Sequence, residues 1–423
     1  MQSTNRKNIY ILAFTLVVVM LGFGVVIPIM PFYIDSMGAG GAELGLLVAS
    51  YAVMRLIFGP IWGGLSDRIG RKPVLMVGML GYAITMFWFG LATQLWMLFV
   101  ARSLSGILSS ATSPTTMAYI SDNTSEKDRG RGMGILGAAI GLGTVIGPGF
   151  GGWLAGDSPT GAALSTPFFI AGAMSLVALL LIAVLLPESK PSITDQPAPS
   201  KAKLVDFKAL WQALFSPIGI LLFMAFLVAY AITTFYGIFG LYALEKFAYG
   251  PQQVGVILML VGLVSALAQG LLTGPLTERW GEARIIKLSL LAASIGFLAI
   301  VPAGSIATVL IATGFFSLAS ALLSPAVSSL TSQHTTMLQG ITMGLSNSFM
   351  SLGRIAGPLL AGVLFDLNLE LPYLSGAVVL FLGFLVSLFK LSQEIKQPAK
   401  VQAPRAGTVR KTESAHPQQQ ASK

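Results

Sequence analysis

The chain contains no cysteine. Disulfides, thiolate metal sites and thiol nucleophiles are therefore excluded. Its two histidines, His334 and His416, stand in separate polar stretches and form no cluster for a metal ion or for imidazole acid–base chemistry. No metal, cofactor or enzymatic activity is expected. Charge is scarce as well: charged residues make up 10% of the 423, hydrophobic residues make up 54%, and the mean hydropathy is +0.77. A soluble domain could not bury that much apolar surface. Acids are missing where they would matter most, since every Asp and Glu falls in a loop, a tail or the end of an apolar run.

What is present is a series of apolar runs, each near the roughly 20 residues that cross a bilayer. Twelve are predicted: 8–32, 43–65, 74–93, 96–120, 131–155 and 166–187, then 217–243, 252–276, 284–303, 305–331, 339–365 and 372–391. The fold class is all-α integral membrane, with twelve transmembrane helices. Residues 1–187 form one six-helix bundle and 217–392 a second. Residues 188–216 join them as a linker on one side of the membrane. Leu204, Phe207, Leu210, Trp211, Leu214 and Phe215 recur there at helical spacing, which suggests a short interfacial helix. The polar segment 393–423 reads as a disordered tail. The first run, from Asn8 to about Met30, is too long for a cleaved signal and reads as span 1.

The net charge of +9 resembles a nucleic-acid signal, but its distribution does not. Only Arg55, Arg102 and Arg354 fall inside apolar spans, and only Lys246 falls in a loop on the far side. The other lysines and arginines collect on the side of the two termini. That asymmetry predicts that both termini are cytoplasmic, with cations against an anionic leaflet rather than a nucleic acid.

The densest charge lies in the turn Gly63-Gly64-Leu65-Ser66-Asp67-Arg68-Ile69-Gly70-Arg71-Lys72-Pro73. Gly70 can take positive φ, and Pro73 presets φ at the start of the next helix. A weaker copy follows at Gly274-Pro275-Leu276-Thr277-Glu278-Arg279-Trp280-Gly281. Gly63 and Gly274, Asp67 and Glu278, Arg68 and Arg279, and Gly70 and Gly281 are all separated by one constant interval, which Ser113-Pro114 and Ser324-Pro325 share. The chain is one unit written twice.

In span 5, Gly143, Gly147 and Gly151 stand four apart and present a bare helix face beside Pro148. Gly353, Gly357, Pro358 and Ala361 echo them in span 11. A bare face admits a neighbouring backbone, and a proline bends the helix. The pair reads as a shared bending device, with close packing alone as the plainer alternative.

These motifs carry a resemblance. The Gly63–Leu75 turn is similar to the signature loop of the major facilitator superfamily. The Gly143–Gly152 run resembles the span-5 motif of its twelve-span drug:proton antiporters. Leu98-Phe99-Val100-Ala101-Arg102-Ser103-Leu104-Ser105-Gly106 resembles its span-4 arginine motif. The likeness is nearest to bacterial tetracycline efflux pumps and Gram-positive multidrug pumps that expel fluoroquinolones and dyes. It implies two bundles rocking around a central cavity in a bacterial cell membrane, a small amphipathic substrate, protons as partners, and a monomer. It makes Gly63, Asp67, Arg68, Gly70, Arg71 and Lys72 a conformational latch, with the Lys127-Asp128-Arg129 region supplying further ionic partners. For the cations, plain topology is the alternative.

The resemblance gives Arg102 a part in proton coupling, and a lone buried guanidinium needs a partner or a cavity in any case. Snorkelling to the outer edge is the alternative. Arg55 and Arg354 fall near mid-membrane on two helices that meet across the bundles in that superfamily. Asn347 and Ser351 share a face with Arg354. Such cations favour a substrate with an acidic or chelating oxygen, unless they cap free carbonyls or face water. Related pumps carry buried carboxylates where this chain has Val19, Thr85, Tyr236, Ala293 and Ala321. Any coupling acid must then be a rim residue such as Asp35, Glu245 or Asp366. Phe23 and Met20 in span 1, Phe235, Tyr236, Phe239 and Tyr242 in span 7, and Gln269 in span 8 are expected to line a pocket for flat apolar molecules. The function expected is proton-coupled efflux of amphipathic drug-like compounds. Uptake of a small organic anion is the alternative.

Overall fold

The structure is a computed structural model that describes residues 3–157, 161–189, 211–212, 214–215, 218–333 and 339–394. Twelve helices in it are long and apolar enough to span a membrane. The first six are Arg6–Ser36, Gly41–Ile69, Arg71–Gly90, Leu95–Asn123, Asp128–Ala155 and Ala163–Leu185. The second six are Gly219–Phe247, Pro251–Trp280, Glu282–Ile300, Ile306–Gln333, Thr342–Leu367 and Leu371–Leu391. They are called spans 1 to 12 below. Several run past the apolar stretch that predicted them. Span 2, for example, stays helical through Asp67 and Arg68, because helical hydrogen bonding continues until a residue refuses it. Gly70 does so at φ 101°, and its copy Gly281 does so at φ 74°.

The twofold repeat governs the packing. Span 1 packs on span 5 as span 7 packs on span 11, and span 3 packs on span 6 as span 9 packs on span 12. Across the midline, span 2 meets span 11 and span 5 meets span 8. The even number of spans returns the end of span 12 to the face where span 1 starts, here called the terminal face; the opposite one is the far face.

Two spans break at their prolines. Span 4 interrupts its helix after Ser109 and resumes at Thr112, ahead of Pro114, which has no amide to return to Ser110. Span 8 widens into a π-helical turn over Ala268–Leu272 just before Pro275.

Glycine faces decide how closely the helices approach. A Cβ on Gly143 would meet Met20 Cβ at 2.7 Å, one on Gly147 would meet Gly24 Cα at 2.9 Å, and one on Gly151 would meet Val25 Cα at 2.8 Å. That stripe therefore seats span 5 on span 1. Gly353 and Gly357 seat span 11 on Tyr230 of span 7 in the same way. A second set crosses the midline near the far face. Gly255 of span 8 lies against Gly152 of span 5, Gly41 and Gly45 of span 2 lie against Gly362 and Pro358 of span 11, and Gly240 of span 7 lies against Pro31 of span 1. At the terminal face the same helices stand apart, and Gly63, Gly64, Gly270, Gly274 and Gly344 have open space at the Cβ position. The two halves are therefore closed at the far face and open at the terminal face.

Glu188 and Ser189, at the start of the linker, are tied to the first bundle. The Glu188 carboxylate accepts from the Arg71 amide at 2.9 Å, and Asn123 donates to the Ser189 hydroxyl at 2.8 Å. Most of the proposed interfacial helix, and the segment 395–423, lie outside the described residues. Trp211 and Phe215 of that helix are exposed and meet edge to face at 5.2 Å.

Candidate transport cavity

Between the bundles lies a cavity of about 610 Å³. Span 1 supplies Phe23, Gly24 and Ile27 to its wall, and span 2 supplies Val48, Tyr51, Ala52, Arg55, Leu56 and Pro60. From span 7 come Ile232, Thr233 and Tyr236, and from span 11 Gly344, Asn347, Ser348, Ser351 and Arg354. Arg102 of span 4, with Thr144 and Pro148 of span 5, completes it. The wall is mainly apolar, and it holds three guanidinium groups and no carboxylate.

Arg102 does not reach for the membrane edge. It is buried, with its guanidinium carbon 4.5 Å from the centre of the Tyr51 ring and 5.7 Å from that of Phe23. Aromatic faces carry partial negative charge, so the stack offsets part of the cost of burying a cation. Its Nε finds no hydrogen-bond partner among the described residues. Tyr51 links two of the cations, for its ring lies under Arg102 while its hydroxyl meets Ser109 at 3.1 Å and Arg55. Arg55 sits midway along span 2, and Arg354 reaches the same cavity from span 11 in the other bundle. Both therefore bring positive charge to one cavity from opposite bundles.

Tyr236, Asn347, Arg55, Arg354 and Arg102 thus come together on one wall. Phe239 does not. It is fully buried behind the wall, its ring 5.0 Å from that of Phe235, which packs in turn on Phe316 at 5.2 Å. Span 7 presents Tyr236 to the cavity, and Phe239, about 300° further round the helix, faces the bundle core. Phe235, Tyr242 and Met20 are likewise core residues. Gln269 is exposed within the π-helical turn of span 8 and lies off the cavity wall, because the widened turn resets which residues face inward. Pro148 lines the cavity, whereas Gly143, Gly147, Gly151 and Gly357 serve the helix contacts described above, and Pro358 meets Gly45 and Gly237. Thr144, Val48, Ile232, Thr233 and Ser348 were not anticipated. Thr144 follows Gly143 directly, and Ser348 neighbours Asn347, so helical-wheel reasoning from those residues is the only sequence signal for them.

At the terminal face, Arg71 organises the signature turn. Its guanidinium donates to Ser66 Oγ at 2.7 Å, pairs with Asp67 at 2.5 Å and donates to Asp122 at 3.0 Å. Lys72 donates to the Ala183 carbonyl at 2.8 Å. All of these bonds lie within the first bundle. Gly63 stands in open space, Arg68 and Arg129 are exposed, Arg129 donates to the Ser121 carbonyl at 3.3 Å, and the Lys127 side chain lies outside the described residues. Asp35, at the far end of span 1, is exposed and remote from Arg102, so the structure does not join those two residues into one site.

The sequence profile of the Major Facilitator Superfamily matches residues 12–242 and 221–417. The chain belongs to the Major Facilitator Superfamily. This facilitator is 34% identical over 381 residues to multidrug resistance protein 2 of Bacillus subtilis strain 168, covering 89% of this chain and 94% of that one. It is 27% identical over 391 residues to the quinolone resistance protein NorA of Staphylococcus aureus strain N315, covering 92% and 98%. Its fold matches a bacterial homologue of the human lysosomal transporter Spinster, solved inward-facing and unoccupied (TM-score 0.74, 16% identity, 93% and 98% covered). It also matches the human organic anion transporter MFSD10 (TM-score 0.63, 23% identity, 91% and 100% covered).

Proposed function

We propose that this facilitator exports flat amphipathic drug-like molecules, such as tetracyclines or fluoroquinolones, by alternating access driven by inward proton flow. The observation that carries this reading is the cavity. Its volume of about 610 Å³ suits a drug-sized ligand, it lies on the midline, and its aromatic and apolar wall opens toward the terminal face. The relatives named for multidrug and quinolone resistance support export. The charge asymmetry supports a cytoplasmic terminal face, and the family resemblance supports a bacterial cell membrane and a monomer. In this cycle Asp67 and its neighbours latch the terminal face when it closes, and the far-face contacts part.

Proton coupling rests on the resemblance to drug:proton antiporters. No acid lines the cavity, so the coupling group is placed at the rim, with Asp35, Glu245 and Asp366 as the candidates, and substrate release is linked to it through the motion of the bundles. The three arginines favour a second reading, uptake of a small organic anion by the same fold.

Direction separates the two. The chain is expressed in a drug-sensitive host, and accumulation of tetracycline, a fluoroquinolone and ethidium is measured with and without an uncoupler. The expected result is lower accumulation of at least one drug, abolished by the uncoupler. Increased uptake of an anionic nutrient with no change in drug accumulation would favour the second reading.

A further inference from the structure

The charge on the cavity wall narrows the substrate class. Arg55 comes from the middle of span 2, Arg354 from span 11 and Arg102 from span 4. Arg102 already has an aromatic seat on Tyr51 and Phe23, yet keeps a buried, unpartnered Nε–H. Arg55 and Arg354 line the same cavity from opposite bundles and carry like charge. Every Asp and Glu of the described spans lies toward a helix end, and none lines the cavity to balance these groups. An oxyanion between Arg55 and Arg354 would relieve their mutual repulsion and supply the counter-charge that the wall lacks. A guanidinium presents its N–H groups as a planar fork matched to two carboxylate oxygens. A cation with no accompanying oxyanion meets repulsion from these arginines, which only the aromatic wall offsets.

We propose that the cavity selects amphiphiles carrying a carboxylate or similar oxyanion beside a flat apolar body, with Arg55 and Arg354 as a clamp that takes one arm from each bundle. The flat body lies against Tyr236, Phe23 and Ile27. The clamp also ties binding to closure. With no anion present, drawing the halves together would desolvate two like charges against each other. A carboxylate between them converts that repulsion into attraction and pulls span 2 toward span 11. This inference rests on the export reading for its site, but its charge argument stands on the cavity alone.

Rhodamine 110 and its methyl ester rhodamine 123 share one ring system and differ in a single carboxylate. Binding of each dye to the purified full-length protein is measured by fluorescence polarisation, and export of each is measured in energised vesicles. The acid is expected to bind about tenfold more tightly than the ester, the discrimination a charge-assisted hydrogen bond supports. High salt should shrink that preference. Arg55→Gln with Arg354→Gln is expected to reduce it to within about twofold, chiefly by weakening the acid, with wild-type thermal unfolding showing that the variant is folded, and the conservative pair Arg55→Lys with Arg354→Lys should restore part of it. Equal or tighter binding of the ester, or a preference that survives the glutamine pair, overturns the clamp. If the acid is preferred in binding but neither dye is exported, the export reading fails and the anion site stands.

Discussion

The carboxylate of Asp366 accepts the backbone N–H of Gly41 at 2.7 Å and that of Ala42 at 2.8 Å. The end of span 11 thereby caps the start of span 2 across the bundle midline, where free amides and the helix dipole both favour a negative charge. Glu43 completes the cap within its own helix by accepting from the Gly40 amide at 2.9 Å. The far face is held shut here by one carboxylate from the opposite bundle.

Asp366→Asn should therefore loosen the far face. A neutral amide can still accept one bond but loses the charge assistance, a change of about 1 kcal/mol. Spin labels at Thr93→Cys and Ile306→Cys, in exposed far-face positions of the two bundles, need no background cysteine removed. Their distance distribution should shift toward longer separations in the Asp366→Asn protein. An unchanged distribution would mean that the glycine contacts alone keep the face shut.

Gly255→Leu should have the opposite character to a mild loosening. Even the first side-chain carbon at this position would lie 2.9 Å from Gly152 Cα, and backbone cannot step aside as a flexible side chain can. The expected outcome is a folded, inserted protein that cannot close its far face and does not turn over. Normal transport by this variant would show that spans 5 and 8 need not touch during the cycle.

Asp67→Asn tests the latch at the terminal face. In the structure Asp67 is 62% exposed and pairs with Arg71 four residues on. Exposed pairs contribute about 0 to 1 kcal/mol, so thermal stability should barely change. Turnover in reconstituted vesicles should nevertheless fall several-fold, because in the proposed cycle Asp67 acts only when the terminal face closes. Wild-type turnover would reduce the cations of this turn to topology signals.

Arg102→Lys separates charge from shape. Lysine keeps the positive charge but cannot lay a planar group over Tyr51 and Phe23, a contact of roughly 0.5 to 2 kcal/mol. Drug binding to the purified protein should weaken by about three- to tenfold, as read by fluorescence polarisation. Full retention would show that the cavity needs only a charge at this place.

Much of this architecture was legible from residue order. The twelve apolar runs, the paired glycine turns at Gly70 and Gly281 and the two Gly-Pro stripes all depend on local physics or simple repetition, and a single chain displays both. Arg55, Arg102, Asn347 and Arg354 could be singled out because polar groups in mid-span are expensive and therefore conspicuous. Phe239 and Gln269 were harder, for two reasons. Span 7 is apolar on every side, so its pattern does not say which aromatic faces the cavity, and a π-helical turn shifts the helical phase just before the positions that phase would predict. The link from Asp366 to Gly41 had no sequence signature at all. It joins helix ends that only the docking of two bundles brings together.

Both midline seams at the far face pack glycine against backbone, but only one adds an ionised group. Where span 5 meets span 8, Gly152 lies on Gly255 and nothing ionised takes part in the contact; where span 2 meets span 11, a carboxylate grips a helix start. Screening by dissolved salt would act on the carboxylate contacts of the second seam rather than on the glycine packing. One edge of the far face is thus closed by apolar packing alone, and the other adds a clasp whose hold depends on a single charge.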